Sequence, residues 1–329
     1  MIKKNLLITG GLGYIGSKFF TKFKEEYSFY IIDTSFFSPK DLEQSSNVNY
    51  LDIRKVNIED LKNIDLIVHM GELSNDPLGN ISNELTNEIN HEATIKLLDL
   101  ANNSDVKKFI YMSSASIYGI SDEISSELST VNPLTEYAKA KYNNEQYILN
   151  TNFDFETIIL RNSTAFGYSD NLRLDLVVND LTFNAFKNNQ ITLLSDGSPK
   201  RPIVHVADIC NFINLILNDD NSHDKEIYNV GDKTLNYSIK QIAETIGEVL
   251  NIDKIKYGEF DSDQRSYYLD FSKIEKKFPK FQIEYNLKKG VQDLIRNFRS
   301  YNLSGNEERL KKLEFLIKNN KLNNKLYWN

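Results

Sequence analysis

The stretch Thr9-Gly10-Gly11-Leu12-Gly13-Tyr14-Ile15-Gly16 decides the fold, because it joins an apolar run to an amphipathic one. Asn5 to Thr9 is typical of a buried strand, and Tyr14 to about Tyr27 is typical of a helix. Glycine at positions 10, 13 and 16 permits a tight turn, lets a pyrophosphate approach the backbone and lets the helix pack close to the strand. The helix N-terminus then offers unpaired N–H groups to phosphates. The stretch therefore predicts a strand–turn–helix unit that binds a dinucleotide.

Asp33 ends the second predicted strand, 23 residues after Gly10. A carboxylate at this place accepts both ribose hydroxyls of NAD and repels the 2′-phosphate of NADP. No arginine lies between Thr34 and Lys40. NAD is therefore the predicted cofactor, and a turn or helix-capping role for Asp33 is the alternative.

The first half of the chain alternates short apolar runs with amphipathic segments, which predicts an α/β fold with a Rossmann doubly wound parallel sheet. Further strands are expected at Phe29–Asp33, Val48–Asp52, Asp65–His69, Lys108–Met112 and Glu156–Leu160, and long helices at Asn83–Asn103 and Thr135–Asn150. After Arg161 the pattern is less regular, which indicates a smaller mixed α/β lobe. We expect residues 1–166 and 201–235 to form the Rossmann domain, residues 167–200 and 236–300 the lobe, and residues 301–329 a tail. That tail is either frayed or a docking arm, with a helix over Glu307 to Lys318.

Composition excludes several classes of protein. Of the 329 residues, 39 are Lys or Arg and 46 are Asp or Glu, so the net charge of -7 leaves no broad basic surface for nucleic acid. The single cysteine, Cys210, forms no intrachain disulfide and is expected to be a buried helix residue; no Cys/His spacing suits zinc. No apolar run has the roughly 18 residues that a membrane helix needs. We expect a cytoplasmic, globular protein with no metal site, no nucleic-acid partner and no membrane partner.

Tyr137 and Lys141 are four residues apart in a predicted helix, so their side chains share one face. An ammonium near a phenol lowers the pKa of the phenol, and the charge of an oxidised nicotinamide lowers it further. Such a tyrosine acts as a general base toward a substrate hydroxyl. The same spacing occurs twice more in the chain, so the context, a helix that follows a serine-rich strand end, favours this pair.

That strand end is Ser113-Ser114-Ala115-Ser116-Ile117-Tyr118-Gly119. Hydroxyl groups at the carboxyl end of a parallel strand point into the crevice where ligands bind. The alternative is a run of turn-forming and helix-capping serines.

Taken together, these residues resemble the extended short-chain dehydrogenase/reductases that act on nucleotide sugars, the NAD-dependent epimerases and dehydratases similar to UDP-glucose 4-epimerase. The likeness extends to about residue 300. Besides the segments above, it includes Asp52-Ile53-Arg54, His69-Met70-Gly71, Asn90, Glu145, Arg161, Arg173 to Asn179, Asp196-Gly197, Arg201 to Asp208, Asn229-Val230-Gly231 and Asp263 to Tyr267.

The resemblance implies roles for individual residues. Ser114 and Tyr137 would bond the sugar hydroxyl, Tyr137 would take its proton, and Lys141 would hold the nicotinamide ribose while hydride passes from carbon 4 to NAD. The implied cofactor-binding residues are Gly10, Gly13, Tyr14, Ile15, Gly16, Asp33, Asp52, Ile53, His69, Met70, Gly71, Asn90, Ser113, Tyr137 and Lys141. The implied substrate-binding residues are Ser74, Asn75, Ser114, Ser116, Asn162, Asn179, Arg201 and Arg265, the last three of them near the diphosphate. For His69 and His205 packing at a strand end is favoured over catalysis.

Departures from the family pattern reduce the number of reactions that this chain is expected to catalyse. The 4,6-dehydratases of the family carry an acidic pair where this chain has Ala115 and Ser116. Decarboxylating members have a glutamate at the position of Ser116. Reductive epimerases need a Cys/His pair, which the position of Cys210 does not provide. Oxidation and reduction at carbon 4 remain. The favoured hypothesis is a nucleotide-sugar 4-epimerase of surface-polysaccharide biosynthesis.

Three alternatives stay open: a 4-dehydrogenase, for example of a GDP-heptose, a 4-ketoreductase, and a dinucleotide-binding scaffold without activity. Glu72 stands where the family commonly has a small residue, which argues against a plain UDP-glucose/UDP-galactose substrate. The resemblance also implies a homodimer, with the helices that bear Asn90 and Tyr137 pairing with their copies in a four-helix bundle.

Overall fold

The computed structural model describes residues 3–37, 47–259 and 266–329. The strands are β1 (Asn5–Thr9), β2 (Ser28–Asp33), β3 (Asn47–Tyr50), β4 (Leu66–His69), β5 (Lys108–Ser114), β6 (Ile120–Ser125), β7 (Glu156–Asn162), β8 (Thr164–Phe166), β9 (Ile191–Thr192), β10 (Lys200–His205), β11 (Glu226–Val230), β12 (Asn236–Ser238), β13 (Ile255–Lys256) and β14 (Ser266–Leu269). The helices are α1 (Tyr14–Phe23), α2 (Asp76–Gly79), α3 (Asn83–Thr86), α4 (Ala93–Asn102), α5 (Glu136–Asn150), α6 (Val177–Asn188), α7 (Val206–Leu217), α8 (Ile239–Leu250), α9 (Ser272–Lys277), α10 (Leu287–Phe298) and α11 (Arg309–Lys318).

Seven parallel strands form the central sheet in the order β3-β2-β1-β4-β5-β7-β11. The chain winds outward from β1 to one edge and then returns to β4 on its other side, so the strand order reverses between β1 and β4. In sheets of this kind, ligands bind beyond the carboxyl ends of the strands at that point of reversal. The predicted α/β class and doubly wound sheet are confirmed.

Alternating side chains of the strands pack against helices on both faces of the sheet. Leu6 and Ile8 contact the layer that contains α1 and α7, whereas Leu7 contacts the layer that contains α4, α5 and α11. This alternation is the period of two expected of a strand that is buried on both sides. Cys210 lies fully buried in α7, as predicted.

The turn after β1 has no room for side chains. Gly10 has a φ of +68°, and a Cβ atom there would lie 2.7 Å from the carbonyl oxygen of Met70. A Cβ atom on Gly16 would lie 2.6 Å from the carbonyl oxygen of Gly11. The glycines therefore allow α1 to start directly against the strand ends.

The predicted long helix at 83–103 is interrupted. A π-helical turn, Asn87–Glu92, joins α3 to α4 and carries the side chain of Asn90 into the protein. Its amide accepts from the N–H of Leu73 at 2.8 Å and donates to the carbonyl of Leu73 at 3.0 Å. An irregular turn that widens a helix often marks a place where a side chain is needed in a particular direction, and here it fixes the loop after β4. α1 also ends at Phe23, earlier than predicted.

A second lobe lies beyond the carboxyl edge of the sheet. Its core joins α6, α8 and α10 through apolar residues such as Val178, Ile242 and Val291. Short strand pairs, β9 with β13 and β10 with β12, complete it. No helix in the part of the chain described here combines the length and apolar character required to cross a bilayer.

The tail is a docking arm. Leu313 and Leu316 of α11 are buried in the same apolar cluster as Leu97 of α4. Beyond the helix, the indole N–H of Trp328 donates to the carbonyl of Thr34 at 2.7 Å. The arm therefore lies against the loop that follows β2.

We expect Leu313→Ala to lower the free energy of unfolding by about 2–4 kcal/mol, because Leu313 is fully buried and truncation leaves a cavity. Leu303→Ala, at a residue that is 53% exposed, is the matched control and should change it by less than about 0.5 kcal/mol. Urea denaturation measures both. Equal stability of the two variants would mean that the arm does not belong to the cooperative core.

Candidate active site

A cavity of about 610 Å³ lies at the carboxyl ends of β1, β4 and β5, between the sheet and the second lobe. Its size and position fit a binding site for small molecules. Most of the sequence-predicted site residues line it: Gly10, Gly13, Tyr14, Ile15, Asp33, Asp52, Ile53, Met70, Gly71, Ser74, Asn75, Ser113, Ser114, Ser116, Tyr137, Lys141, Asn162 and Arg201.

Four predicted residues lie behind the cavity wall: Gly16, His69, Asn90 and Asn179. Gly16 packs against Gly11, and Asn90 holds the loop after β4 as described above. Asn179 is fully buried, and its amide bonds the N–H of Gly167 and the carbonyl of Arg173. Arg265, the eighth predicted substrate contact, lies outside the described residues.

His69 links two elements from within the core. Its Nδ1 lies 2.6 Å from the hydroxyl of Thr9, and its Nε2 lies 2.7 Å from the hydroxyl of Thr94. The ring is fully buried, and this burial lowers the pKa of His69 to about 3. The histidine is therefore neutral and joins β1 to α4. His205 is similarly buried, and its ring stacks on that of Tyr285.

The glycine turn forms a cradle open to the cavity. A Cβ atom on Gly13 would meet only the carbonyl of Gly10, at 3.0 Å, so the other side of Gly13 is free for a ligand. Asp33 stands beside this turn and accepts the N–H of Leu12 at 3.0 Å and that of Ser35 at 2.8 Å. Burial raises the pKa of Asp33, and these two bonds oppose the rise. Each oxygen of a carboxylate has a second acceptor site. Asp33 can therefore accept these two N–H groups and the ribose hydroxyls of a cofactor at the same time.

Tyr137 and Lys141 come together with Ser114 as the sequence predicts. The hydroxyl of Ser114 is near enough to the phenol of Tyr137 to lower its pKa, and the ammonium of Lys141 lies 5.6 Å from the centre of the Tyr137 ring. Lys141 also donates to the carbonyl of Met112 on β5. This contact fixes the lysine at the end of the strand that carries the serines.

The pKa of Tyr137 differs from the prediction. The lysine was expected to lower it, yet the pKa is raised, first because the phenol is buried and second because the carboxylates of Glu72 and Asp76 are near. The ammonium of Lys141 is paired with Glu72, so its effect on the phenol is largely offset. Ser114 and the charge of Arg173 lower the pKa of Tyr137 only in part, and positive charge brought by a bound cofactor would lower it further.

Glu72 is the residue whose contacts the sequence did not reveal. Its side chain is 2% exposed, and its Oε2 lies 2.7 Å from the ammonium of Lys141. Tyr111 donates its phenol proton to Oε1 at 3.0 Å. Burial raises the pKa of Glu72, and the charge of Lys141 opposes the rise. The only signal in the sequence is a glutamate where the family commonly has a small residue.

A second buried ion pair supports the serine strand from behind. Glu145 on α5 pairs with Arg161 on β7 at 2.7 Å and accepts the hydroxyl proton of Ser113. Both charged side chains are almost fully buried. Pairs of this kind are costly to break, so Ser113 keeps a fixed orientation.

Four buried polar atoms of the cavity wall have no hydrogen-bond partner among the described residues. Glu72 Oε2 is ion-paired with Lys141, whereas Ser116 Oγ, Asn162 Oδ1 and Ser163 Oγ have no such contact. Buried polar groups are normally satisfied, so these atoms point to a polar ligand. Together with the open glycine cradle, they fit a dinucleotide and a hydroxyl-rich substrate.

Two further arginines line the cavity. Arg173 pairs with Asp175 at 2.8 Å and donates to the hydroxyl of Ser74 at 3.1 Å, which connects the second lobe to the loop after β4. Arg309 comes from the docking arm and is 2% exposed. It bonds the side chain of Asn171 at 2.6 Å. No carboxylate in the described part of the chain lies within ion-pair distance of Arg309, and burial and the charge of Arg173 lower the pKa of Arg309 to about 9.

Among residues 3–37, 47–259 and 266–329, no group of three or more His, Cys, Asp or Glu side chains is arranged to hold a metal ion.

Comparison with known proteins identifies related sequences and folds. Residues 6–231 match the model of the NAD dependent epimerase/dehydratase family. The "Putative UDP-glucose 4-epimerase" of Methanocaldococcus jannaschii is 27% identical over 318 residues, covering 90% of this chain and 99% of that protein. The dTDP-D-glucose 4,6-dehydratase of Mus musculus is 24% identical over 327 residues, covering 91% of this chain and 90% of that protein.

A solved structure has the same fold. The UDP-N-acetylglucosamine 4-epimerase from Methanobrevibacter ruminantium, in complex with UDP-N-acetylmuramic acid, superposes with a TM-score of 0.80 at 24% identity. The match covers 91% of this chain and 99% of that chain.

We expect the neutral state of His69 to make stability depend on pH. Its pKa of about 3 in the folded protein lies below the value of about 6.5 in the unfolded chain, so the unfolded state binds a proton first as the pH falls. The stability contributed by this residue is complete above pH 6.5 and is lost progressively toward pH 3. Urea denaturation at several pH values should show a shallower loss for His69→Gln than for the wild type between pH 6.5 and 4. Identical slopes would contradict the assignment.

Proposed function

The chain belongs to the NAD dependent epimerase/dehydratase family, and we propose that it is a 4-epimerase of a nucleotide-activated sugar. NAD, when bound, accepts a hydride from carbon 4 of the sugar and returns it to the opposite face of the resulting ketone. The observation that carries the proposal is that Ser114, Tyr137 and Lys141 line one cavity while Ala115 and Ser116 occupy the next two positions. This arrangement provides one base for a hydroxyl and no acid–base pair after it.

The proton of the sugar hydroxyl would go to the phenolate of Tyr137, which forms once the positive charge of a bound oxidised nicotinamide lowers the pKa of the phenol. Ser114 lies beside the phenol and lines the same cavity, so it is placed to hold the same hydroxyl. Lys141 retains donors for the nicotinamide ribose, because an ammonium has three N–H donors and its one hydrogen bond goes to the carbonyl of Met112, while its contact with Glu72 is an ion pair. In the return step, Tyr137 gives the proton back to the sugar oxygen as the hydride returns.

The adenosine half of NAD is assigned to the glycine cradle and Asp33. The N-terminus of α1 faces the diphosphate there, as it does in other dinucleotide sites. Arg309 reinforces this end: its guanidinium holds Asn171, which in turn donates to the carbonyl of Leu12 in the glycine turn at 2.6 Å. Arg173 is paired with the carboxylate of Asp175, whereas Arg309 has no ion-pair partner among the described residues. The two guanidiniums therefore leave a surplus of positive charge, which suits a diphosphate.

The nucleotide sugar is assigned to the second lobe, residues 167–200 and 236–300. Arg201 and Asn162 line the cavity from this side. The Arg173–Asp175 pair and Asn75, which donates to Asp175 at 2.9 Å, form the wall nearest the sugar. A place in surface-polysaccharide biosynthesis and a cytoplasmic location are parts of the same proposal.

A homodimer completes the proposal. The helices that bear Asn90 and Tyr137 lie side by side at the surface, with Ile95 and Leu100 of α4 half-buried. These apolar residues are placed to pack against a second copy of the chain.

We expect Tyr137→Phe to lower kcat by about 10²–10⁴-fold, because the general base is lost while the cavity keeps its shape. Interconversion of the carbon-4 epimers of UDP-, GDP-, CDP- and dTDP-sugars measures it. Tyr147→Phe is the matched control, since this tyrosine lies on the same helix and donates outward to Asp99.

The product distinguishes the alternatives. Stoichiometric NADH with a 4-keto product and no epimer would replace the epimerase with a dehydrogenase. A dehydrated product would contradict the argument from Ala115 and Ser116. Bound cofactor with no turnover on any sugar would indicate a scaffold.

We expect Arg309→Met to weaken ADP binding by about tenfold and to leave adenosine binding unchanged, because a charge-assisted contact to phosphate is lost. Titration calorimetry measures both affinities. Arg296→Met, at a side chain that is 79% exposed, is the control. Equal losses for ADP and adenosine would assign Arg309 to the folding of the docking arm and not to the diphosphate.

A further inference from the structure

Glu72 introduces a buried negative charge directly beside the proposed catalytic lysine. The residue follows Gly71 at the end of β4, and its side chain turns inward, toward β5 and α4. Four groups surround the carboxylate: Lys141 at 2.7 Å, the phenol of Tyr111 at 3.0 Å, the hydroxyl of Thr94 at 3.5 Å and the neutral His69 ring at 3.8 Å. Lys141 is the one cation among them.

We infer that Glu72 is a positioning residue that holds Lys141 and favours the oxidised form of the bound cofactor, so that the hydride returns to the sugar. This inference rests on the proposed function, because the return of the hydride is what separates an epimerase from a net dehydrogenase.

The charge balance of the site carries the argument. The oxidised nicotinamide ring has one positive charge more than the reduced ring. A site with Lys141 alone would repel the oxidised ring and thereby favour the reduced one. The carboxylate of Glu72, at 2.7 Å from the ammonium, cancels most of that repulsion. Because water is excluded around a side chain that is 2% exposed, the interaction is weakly screened.

The carboxylate also acts on the sugar side of the same equilibrium. In the forward step the C4–H bond breaks, two electrons leave with the hydride for the nicotinamide, and the O4 proton goes to Tyr137. The sugar is oxidised and the cofactor is reduced; the reverse step restores both. A negative charge near Tyr137 favours the protonated phenol after that step, and it favours the positive ring before it. These two effects oppose each other when sugar is present, so the effect of Glu72 on the cofactor is tested in the absence of sugar.

The surrounding groups hold Glu72 in one place. Tyr111 is also fixed by the amide of Asn144 on α5, which donates to its oxygen at 2.8 Å. Thr94 on α4 bonds the carbonyl of Asn90 at 2.9 Å. The carboxylate is therefore held by two elements besides its own loop. A preorganised charge of this kind acts on the cofactor without first having to reorient.

The experiment compares the affinities of the full-length protein for NAD⁺ and NADH, by titration calorimetry in the absence of sugar. In Glu72→Gln the ratio of the NADH dissociation constant to the NAD⁺ dissociation constant should fall about tenfold relative to the wild type. An unchanged ratio in a Glu72→Gln protein that still binds both forms would overturn the inference.

Tyr111→Phe is the matched control, because it removes a hydrogen bond of the same carboxylate and keeps the charge. Its ratio should stay within about threefold of the wild type; a shift as large as that of Glu72→Gln would assign the effect to packing and overturn the inference. If Glu72→Gln does not fold, Glu72→Ala, which also removes the charge, takes its place with the same expected fall in the ratio. An unchanged ratio in that variant would overturn the inference.

The two proposals fail separately. The cofactor ratio needs no sugar, so a shifted ratio with no epimer formed would remove the epimerase and keep the effect of Glu72 on the cofactor. Epimer formation with an unshifted ratio would keep the epimerase and remove the effect of Glu72 on the cofactor.

Discussion

The close approach of Gly10 and Gly71 is the constraint on which the site depends. These glycines follow β1 and β4, the two strands between which the sheet reverses its order, and a Cβ atom on Gly10 would lie 2.8 Å from the Cα of Gly71. Because neither has a side chain, the two strand ends touch and leave the crevice open above them. The contact also sets the direction of the next residue, Glu72, whose side chain turns down toward Lys141 instead of out toward solvent.

Features that depend on neighbours in the sequence were predictable. The glycine turn follows from the spacing of glycines over seven residues. The shared helix face of Tyr137 and Lys141 follows from their separation by one helical turn. Six of the seven strands of the sheet, and its doubly wound order, followed from the alternation of strands and helices, since connections between parallel strands have a fixed hand; β11 was not among the predicted strands. The π-helical turn at Asn87–Glu92 was not predictable, because the reason for it lies in Leu73, on another segment.

Features that depend on partners far apart in the chain escaped the sequence. Glu72 is defined by Tyr111 and Lys141, which lie on different elements. The pKa of Tyr137 was predicted in the wrong direction, since the spacing revealed the lysine and not the carboxylate that offsets it. Arg309 and Asn171, 138 residues apart, could not be associated without the fold. Sequence therefore identified residues that come together in one cavity, and three-dimensional packing determines their charge balance.

The bond from Trp328 to Thr34 has a consequence for the order in which the protein folds. The two residues are 294 positions apart, whereas the glycine turn bonds within itself, from Gly13 to Gly10. Contacts that close long loops cost more chain entropy and form later than local ones. The part of the cavity wall that the arm supplies through Arg309 is thus among the last parts to assemble. A cofactor that meets the chain during folding finds the glycine cradle already shaped and its outer wall still absent.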